Sequence, residues 1–277
     1  MSRNQSRIAP PEVEDSTSDT QPPVNTPQPA SPFNFIVPTE MVDLPSKGEY
    51  YPESHPLHNV DAIEIKHMTA KEEDILTSAT LLKKGIALDK MLQSIIVDNR
   101  VKVGDLLIGD KNALLIASRV YGYGSEYKVS LLCPECNLTY EAVVDLNELS
   151  HKNPGAVDEG ATKTANNTFV CTLPRSEVQI EFRLLTSKDQ DVITDNKNTG
   201  TLTLLKLITV SVNNQTDKFY IEKALESLPI LDTSILKRIY ATVMPDVNMI
   251  QTVDCIECGE ESEMGVPLNA EFFWPDL

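Results

Sequence analysis

The chain has 277 residues, enough for one or two domains with a sizeable core, and its 23% charged and 41% hydrophobic residues are ordinary for a soluble protein. Its formal net charge of -17 is not ordinary: so acidic a surface repels phosphate backbones and disfavours nucleic-acid binding, while it suits pairing with a basic protein. No apolar run approaches the roughly 20 residues of a membrane span, and Met-Ser-Arg-Asn-Gln-Ser-Arg at the start leads into prolines and acids, so neither a membrane span nor a signal peptide is expected.

Residues 1–32 hold seven of the eighteen prolines and no aromatic residue, a composition expected to give a disordered tail. Residues 33–61 read as an extended arm. Phe33-Asn34-Phe35-Ile36-Val37-Pro38 is apolar and then punctuated, and Leu44-Pro45-Ser46-Lys47-Gly48 argues for a turn. His55 and His58 flank Pro56, lack a third ligand nearby and read as loop histidines.

Ala62 to Met68 alternates and predicts a strand. Thr69-Ala70-Lys71-Glu72 is a capping box, in which each side chain satisfies an orphan amide, and predicts a helix running to Gly85. Further helices are expected over about 88–97, with Leu88, Met91, Leu92, Ile95 and Ile96 on one face, and over about 109–121. Gly122-Tyr123-Gly124 is expected to end the latter through a positive φ. The acidic run Glu72-Glu73-Asp74 reads as solvated, with a favourable helix N-terminus beside it.

Next comes Cys133-Pro134-Glu135-Cys136 between two strand-like runs. Its distant twin, Cys255-Ile256-Glu257-Cys258, is flanked the same way, and in both the second cysteine precedes a Leu-Asn pair by ten residues, at Leu146 and Leu268. Residues 151–167, with Pro154, Gly155, Gly160 and Asn166-Asn167, read as a linker. Beyond it Ile180 to Ile193 aligns without gaps with Ile63 to Leu76, over fourteen residues at an offset of 117, while the two Cys-x-x-Cys motifs are offset by 122. Helices are expected through Leu202 to Ile208, Tyr220 to Leu225, and Leu231 to Val243 before Pro245.

The fold class that follows is α+β. It consists of two tandem copies of strand, helices and knuckle hairpin, over residues 62–150 and 168–277, joined at one shared four-cysteine site. Cys133, Cys136, Cys255 and Cys258 form the donor set of one closed structural zinc per chain, like a zinc ribbon split by helices. The competing reading makes the cysteines small buried hydrophobes. A redox dithiol would open a helix, and here strands flank each motif. Cys171 has no counterpart in the first copy and is expected in the core. No phosphate loop, HExxH motif or nucleophile elbow is present, and a four-cysteine zinc keeps no open position, so no enzyme and no small-molecule substrate are expected.

Several of these stretches resemble the baseplate hub proteins of T-even-type contractile-tailed bacteriophages. They are Phe35-Ile36-Val37-Pro38, Leu44-Pro45-Ser46-Lys47-Gly48 with Tyr51, Met68 to Ser78, Asp105 to Ala113, and Arg119 with Tyr121-Gly122-Tyr123-Gly124 and Tyr127. The resemblance implies a non-enzymatic virion component that docks other hub and tail proteins in the baseplate, assembled in the host cytoplasm. A transient assembly chaperone is the alternative in that setting, and a zinc-ribbon nucleic-acid-binding module the alternative of another class. Phe33, Phe35, Tyr50, Tyr51, Phe272, Phe273 and Trp274 are the candidate contact residues, since aromatic anchors dominate interfaces. They compete with the reading that they cap the protein's own core.

Overall fold

Alternating apolar and polar residues put Thr39–Asp43 (β1) and Ala62–Lys66 (β2) into an antiparallel pair, with Val42 opposite Ile63 and both buried. The computed structural model describes residues 37–152, 160–195, 200–266, 268 and 270–273. The tail expected over residues 1–32, together with Phe33, Phe35 and Trp274, lies outside the described residues.

Three helices follow: Ala70–Thr77 (α1), Ala79–Lys83 (α2) and Ala87–Ile95 (α3). The single helix expected up to Gly85 is therefore two, because Ser78 takes an extended conformation between them, at φ -64° and ψ 107°. Glu72 caps α1 as expected, accepting from the Thr69 amide at 2.9 Å and its hydroxyl at 2.6 Å. It is buried, however, and also accepts from the Ser94 hydroxyl, so it is not the solvated acid expected. After α3 the chain returns to the sheet, where Ile96 bridges Ile65 and the Val97 amide donates to Glu64 O at 3.1 Å.

Ile108–Tyr123 (α4) is the central helix, and it ends where Gly124 adopts φ 92°. It leads into the hairpin of Glu126–Leu132 (β3) and Thr139–Asp145 (β4), whose strict alternation buries Tyr127, Val129, Leu131, Tyr140, Ala142 and Val144.

In the second half His151–Lys152 (β5) precedes a four-stranded antiparallel sheet. Its order is Ala161–Lys163 (β6), Phe169–Thr172 (β7), Gln179–Phe182 (β8) and, after two helices, Thr209–Val212 (β9). The helices are Ser187–Asp195 (α5) and Thr201–Ile208 (α6). The stretch 151–167, expected as a linker, carries two short strands, β5 and β6. Lys218–Ser227 (α7) and Ile230–Val243 (α8) follow, then Asp246–Val247 (β10), which pairs with β5. The hairpin of Ile250–Asp254 (β11) and Glu261–Gly265 (β12) comes last.

The two halves interlock through backbone. The Ile108 amide donates to Leu185 O at 3.3 Å, and the Ser187 amide donates to Leu106 O at 2.8 Å. Lys111 Nζ reaches Ser187 Oγ at 2.7 Å and Asp89 at 2.5 Å. Gly109 is required here, since a Cβ on it would lie 2.0 Å from Pro245 O.

Candidate metal centre

Each cysteine pair sits on a turn that the backbone closes on itself. In the first, the Cys133 amide donates to Leu138 O at 3.0 Å and the Asn137 amide donates to Cys133 O at 3.0 Å. In the second, Cys255 and Gly259 make the same two bonds, at 2.9 Å to Glu260 O and 2.8 Å to Cys255 O. The fifth turn residue is left-handed in both, Asn137 at φ 57° and Gly259 at φ 74°, positions suited to asparagine and glycine.

The hairpins bring the four sulfurs together within 4.8 Å of one another. Cys133 Sγ lies 3.7 Å from Cys258 Sγ, and Cys136 Sγ lies 3.8 Å from Cys255 Sγ. These separations are far too long for disulfides, which need about 2.05 Å. They match the edge of a tetrahedron of thiolates around zinc, about 3.8 Å for Zn–S bonds of about 2.3 Å. Cys133 and Cys255 are buried, Cys136 is half-buried and Cys258 faces solvent.

Electrostatics favours a cation at the centre. The Cys136 amide, joined by that of Glu135, holds the Cys133 thiol down to about 7 against the opposing effect of burial. At Cys258 the Glu260 amide favours the thiolate, yet partial loss of water around the sulfur and the three other sulfurs prevail and push the thiol up to about 12. Four thiolates this close repel one another unless a positive charge lies among them. The donor set therefore fits a tetrahedral thiophilic metal, and it leaves no protein-free coordination position for chemistry.

A third turn of the same shape carries no cysteine. Between β7 and β8 the Leu173 amide donates to Val178 O at 2.9 Å and the Glu177 amide donates to Leu173 O at 3.0 Å, with Glu177 at φ 55°. Leu173 and Ser176 stand where the other turns have cysteines. Here the inward amides serve a carboxylate: those of Arg175 and Ser176 donate to Asp232 at 3.1 and 2.8 Å. In the first half Asp110 holds the Leu44-Pro45-Ser46 loop in the corresponding way. It accepts from the Ser46 amide at 3.0 Å, the Ser46 hydroxyl at 2.6 Å and the Tyr51 hydroxyl at 2.8 Å. Both aspartates are fully buried and both are the third residue of their helix, α4 or α8.

Sequence reasoning missed these two acids. An aspartate in a first helical turn is ordinarily solvated, and only the Leu-Pro pairs at Leu44-Pro45 and Leu173-Pro174 marked the loops these acids hold. Arg119 was noted only within the family resemblance, and its role went unread: its buried guanidinium donates to Phe272 O at 2.9 Å, Gly124 O at 2.6 Å and Glu126 O at 3.1 Å.

For three of the candidate contact aromatics, burial replaces the contact role with the competing core reading. Tyr51, Phe272 and Phe273 are 2%, 1% and 1% exposed and pack the core, with Phe272 edge-on to Tyr127. Tyr50 is half-buried against Phe169. Cys171 lies in the core on β7 as expected, and burial pushes its thiol up to about 11. His55 stacks on the Tyr51 ring and the His58 ring bonds Tyr51 O at 2.7 Å, so both are structural.

A profile of the family described as T4 bacteriophage base plate protein matches residues 37–274. No curated protein and no solved structure matches the chain. Among the described residues no helix is long and apolar enough to cross a membrane.

Proposed function

The chain belongs to the T4 bacteriophage base plate protein family, and we propose on that footing that it is a non-enzymatic structural component of the baseplate hub. It acts by docking other tail proteins, with one structural zinc per chain held by Cys133, Cys136, Cys255 and Cys258. It resides in the virion tail and assembles in the host cytoplasm.

The observation that carries this reading is the family match over residues 37–274 together with a closed four-sulfur cluster. A baseplate part has to hold its shape under load, and a metal that ties hairpins from distant parts of the chain serves that end. The net charge of -17 favours basic protein partners over nucleic acid.

We also propose that the body is an internal duplication, two α+β copies joined at the shared site. Three paired features support it. Thr186 and Asp189 repeat the Thr69 and Glu72 cap, with the Asp189 carboxylate accepting from the Thr186 amide and hydroxyl at 2.8 and 2.9 Å. Phe182 pairs with Thr209 as Ile65 bridges Ile96. Asp110 and Asp232 fill the same place under equivalent loops. On this reading each copy brings half of the metal site.

Mass spectrometry of purified virions tests the role. The chain should be present at a stoichiometric level in tails, and its absence from mature virions would replace the structural role with that of an assembly factor.

A further inference from the structure

One of the contacts between the two halves is one-sided. The corner that follows β8 covers the start of α4: Leu185 and Ser187 are buried there, and so are Leu106 and Leu107 beneath them. Lys188 extends the contact by pairing with Asp105 at 2.5 Å. The corresponding surfaces elsewhere in the chain are largely exposed, although Met68, the counterpart of Leu185, is half-buried against the core. Thr69 and Ala70, which match Thr186 and Ser187 in sequence, are exposed. At the start of α8, Ile230 and Leu231 are 85% and 48% exposed, and Pro229 is exposed beside them. Each half of one interface therefore has an exposed counterpart elsewhere in the chain.

We propose that a second copy of this chain seats its Met68–Ala70 corner on the start of α8, repeating between molecules the contact that Leu185–Ser187 make on α4 within one. The proposal rests on the duplication proposed above. A contact between unlike surfaces is heterologous, so it propagates head to tail and yields a ring or an open chain. The backbone chemistry carries over. The bonds flanking the Leu107–Thr186 bridge use the Ile108 amide and Leu106 O. Their counterparts are the Ile230 amide and Leu228 O, so proline at 229, which has no amide proton, is compatible. Lys71 takes the place of Lys188, but Ser227 stands where Asp105 does and the neighbouring Glu226 already pairs with Lys223 and Lys206, so this ion pair does not carry over. One further part does not carry over. Leu231 stands where Gly109 admits Pro245, so the intermolecular contact is the corner alone, and association is weak and concentration-dependent.

Sedimentation velocity on the full chain over a range of concentrations, with metal content measured on the same samples, tests this. The wild type should self-associate reversibly, and Ile230→Asp, at an exposed position, should weaken association by about tenfold or more. The bridge geometry supplies a second readout, since such facing Cα atoms lie about 4.5 Å apart, within reach of a disulfide. Chains carrying Thr69→Cys mixed with chains carrying Pro229→Cys should give a cross-linked dimer that neither gives alone and the wild type does not give under the same oxidant. A metal-loaded wild type that stays monomeric, with no cross-link in the mixture, would overturn the self-association and leave the duplicated fold standing. Oligomers insensitive to Ile230→Asp, or an α8 face that binds another tail protein and never this chain, would overturn it too. A cross-link in chains that hold no metal would support it while removing the zinc.

Discussion

Cys133 and Cys258 stand 125 positions apart in the chain, yet their sulfurs lie 3.7 Å from each other. The approach is made by two hairpins with the same turn but different burial: β3–β4 buries one face in strict alternation, whereas β11–β12 is half-buried at best. The second hairpin sets half-buried Val253 and Met264 against the core, with the Tyr140 hydroxyl 3.5 Å from Met264 Sδ, and the sulfur cluster adds to these contacts.

Removing one ligand should uncouple that hairpin. Cys136→Ser is expected to abolish stoichiometric metal binding and to cost several kcal/mol, on the order of 10 °C in Tm for a chain of this size. Differential scanning calorimetry with elemental analysis checks it. Cys171→Ser, which alters a core thiol on β7 away from the cluster, should leave metal content unchanged.

Asp232 is expected to matter as much as a core side chain. Asp232→Ala leaves the Arg175 and Ser176 amides without their acceptor and should cost about 2–4 kcal/mol in denaturant unfolding. Loss of protection at those two amides in hydrogen exchange would locate the damage at the β7–β8 turn. A change below about 0.5 kcal/mol would show that solvent replaces the carboxylate without cost.

Two acids, buried Asp110 and half-buried Asp189, should give pH dependences of opposite sign. Burial raises the Asp110 carboxyl above its ordinary value, despite bonds from Ser46 and Tyr51. The folded state then holds the proton longer, so this group's contribution is greatest in acid and declines as pH rises from about 4 through the raised value. At Asp189 burial also pushes upward, but Arg183, at 2.8 Å, and the Thr186 amide prevail and lower the carboxyl. Its contribution is present above about 4 and is lost as pH falls through the lowered value. The stability cost of Asp189→Asn should therefore shrink in acid, whereas Asp110→Asn should flatten the decline above pH 4. Urea unfolding at several pH values reads both.

Arg119 ties the end of the described chain to α4. Arg119→Met keeps much of the volume but leaves the carbonyls of Phe272, Gly124 and Glu126 without their donor. It should cost about 3 kcal/mol or more, and it should make the segment around Phe272 cleavable by chymotrypsin under native conditions. Resistance equal to wild type would mean that Phe272 and Phe273 hold the segment by packing alone.

Much of this was legible in the sequence where the signal was local. The Thr69–Glu72 cap, the glycine stop at Gly124 and the two cysteine turns each occupy a few adjacent residues whose backbone needs are stereotyped. What stayed hidden depends on contacts between distant parts of the chain. Thr209–Val212 is a strand because β8, nearly thirty residues earlier, offers it a free edge. Tyr51 looked like a surface anchor on an arm, but Asp110 draws its hydroxyl inward. Phe272 and Phe273 face the core because Arg119 takes hold of the chain there. The four cysteines could be grouped from spacing alone, but that their sulfurs come within tetrahedral reach is a tertiary fact.

The central claim is that a metal joins the two cysteine turns, and elemental analysis of the purified full-length chain tests it most directly. One zinc per chain is expected, lost with Cys136→Ser and on chelation, with a matching fall in Tm. A metal-free chain of unchanged stability, with four titratable thiols at this site, would contradict it.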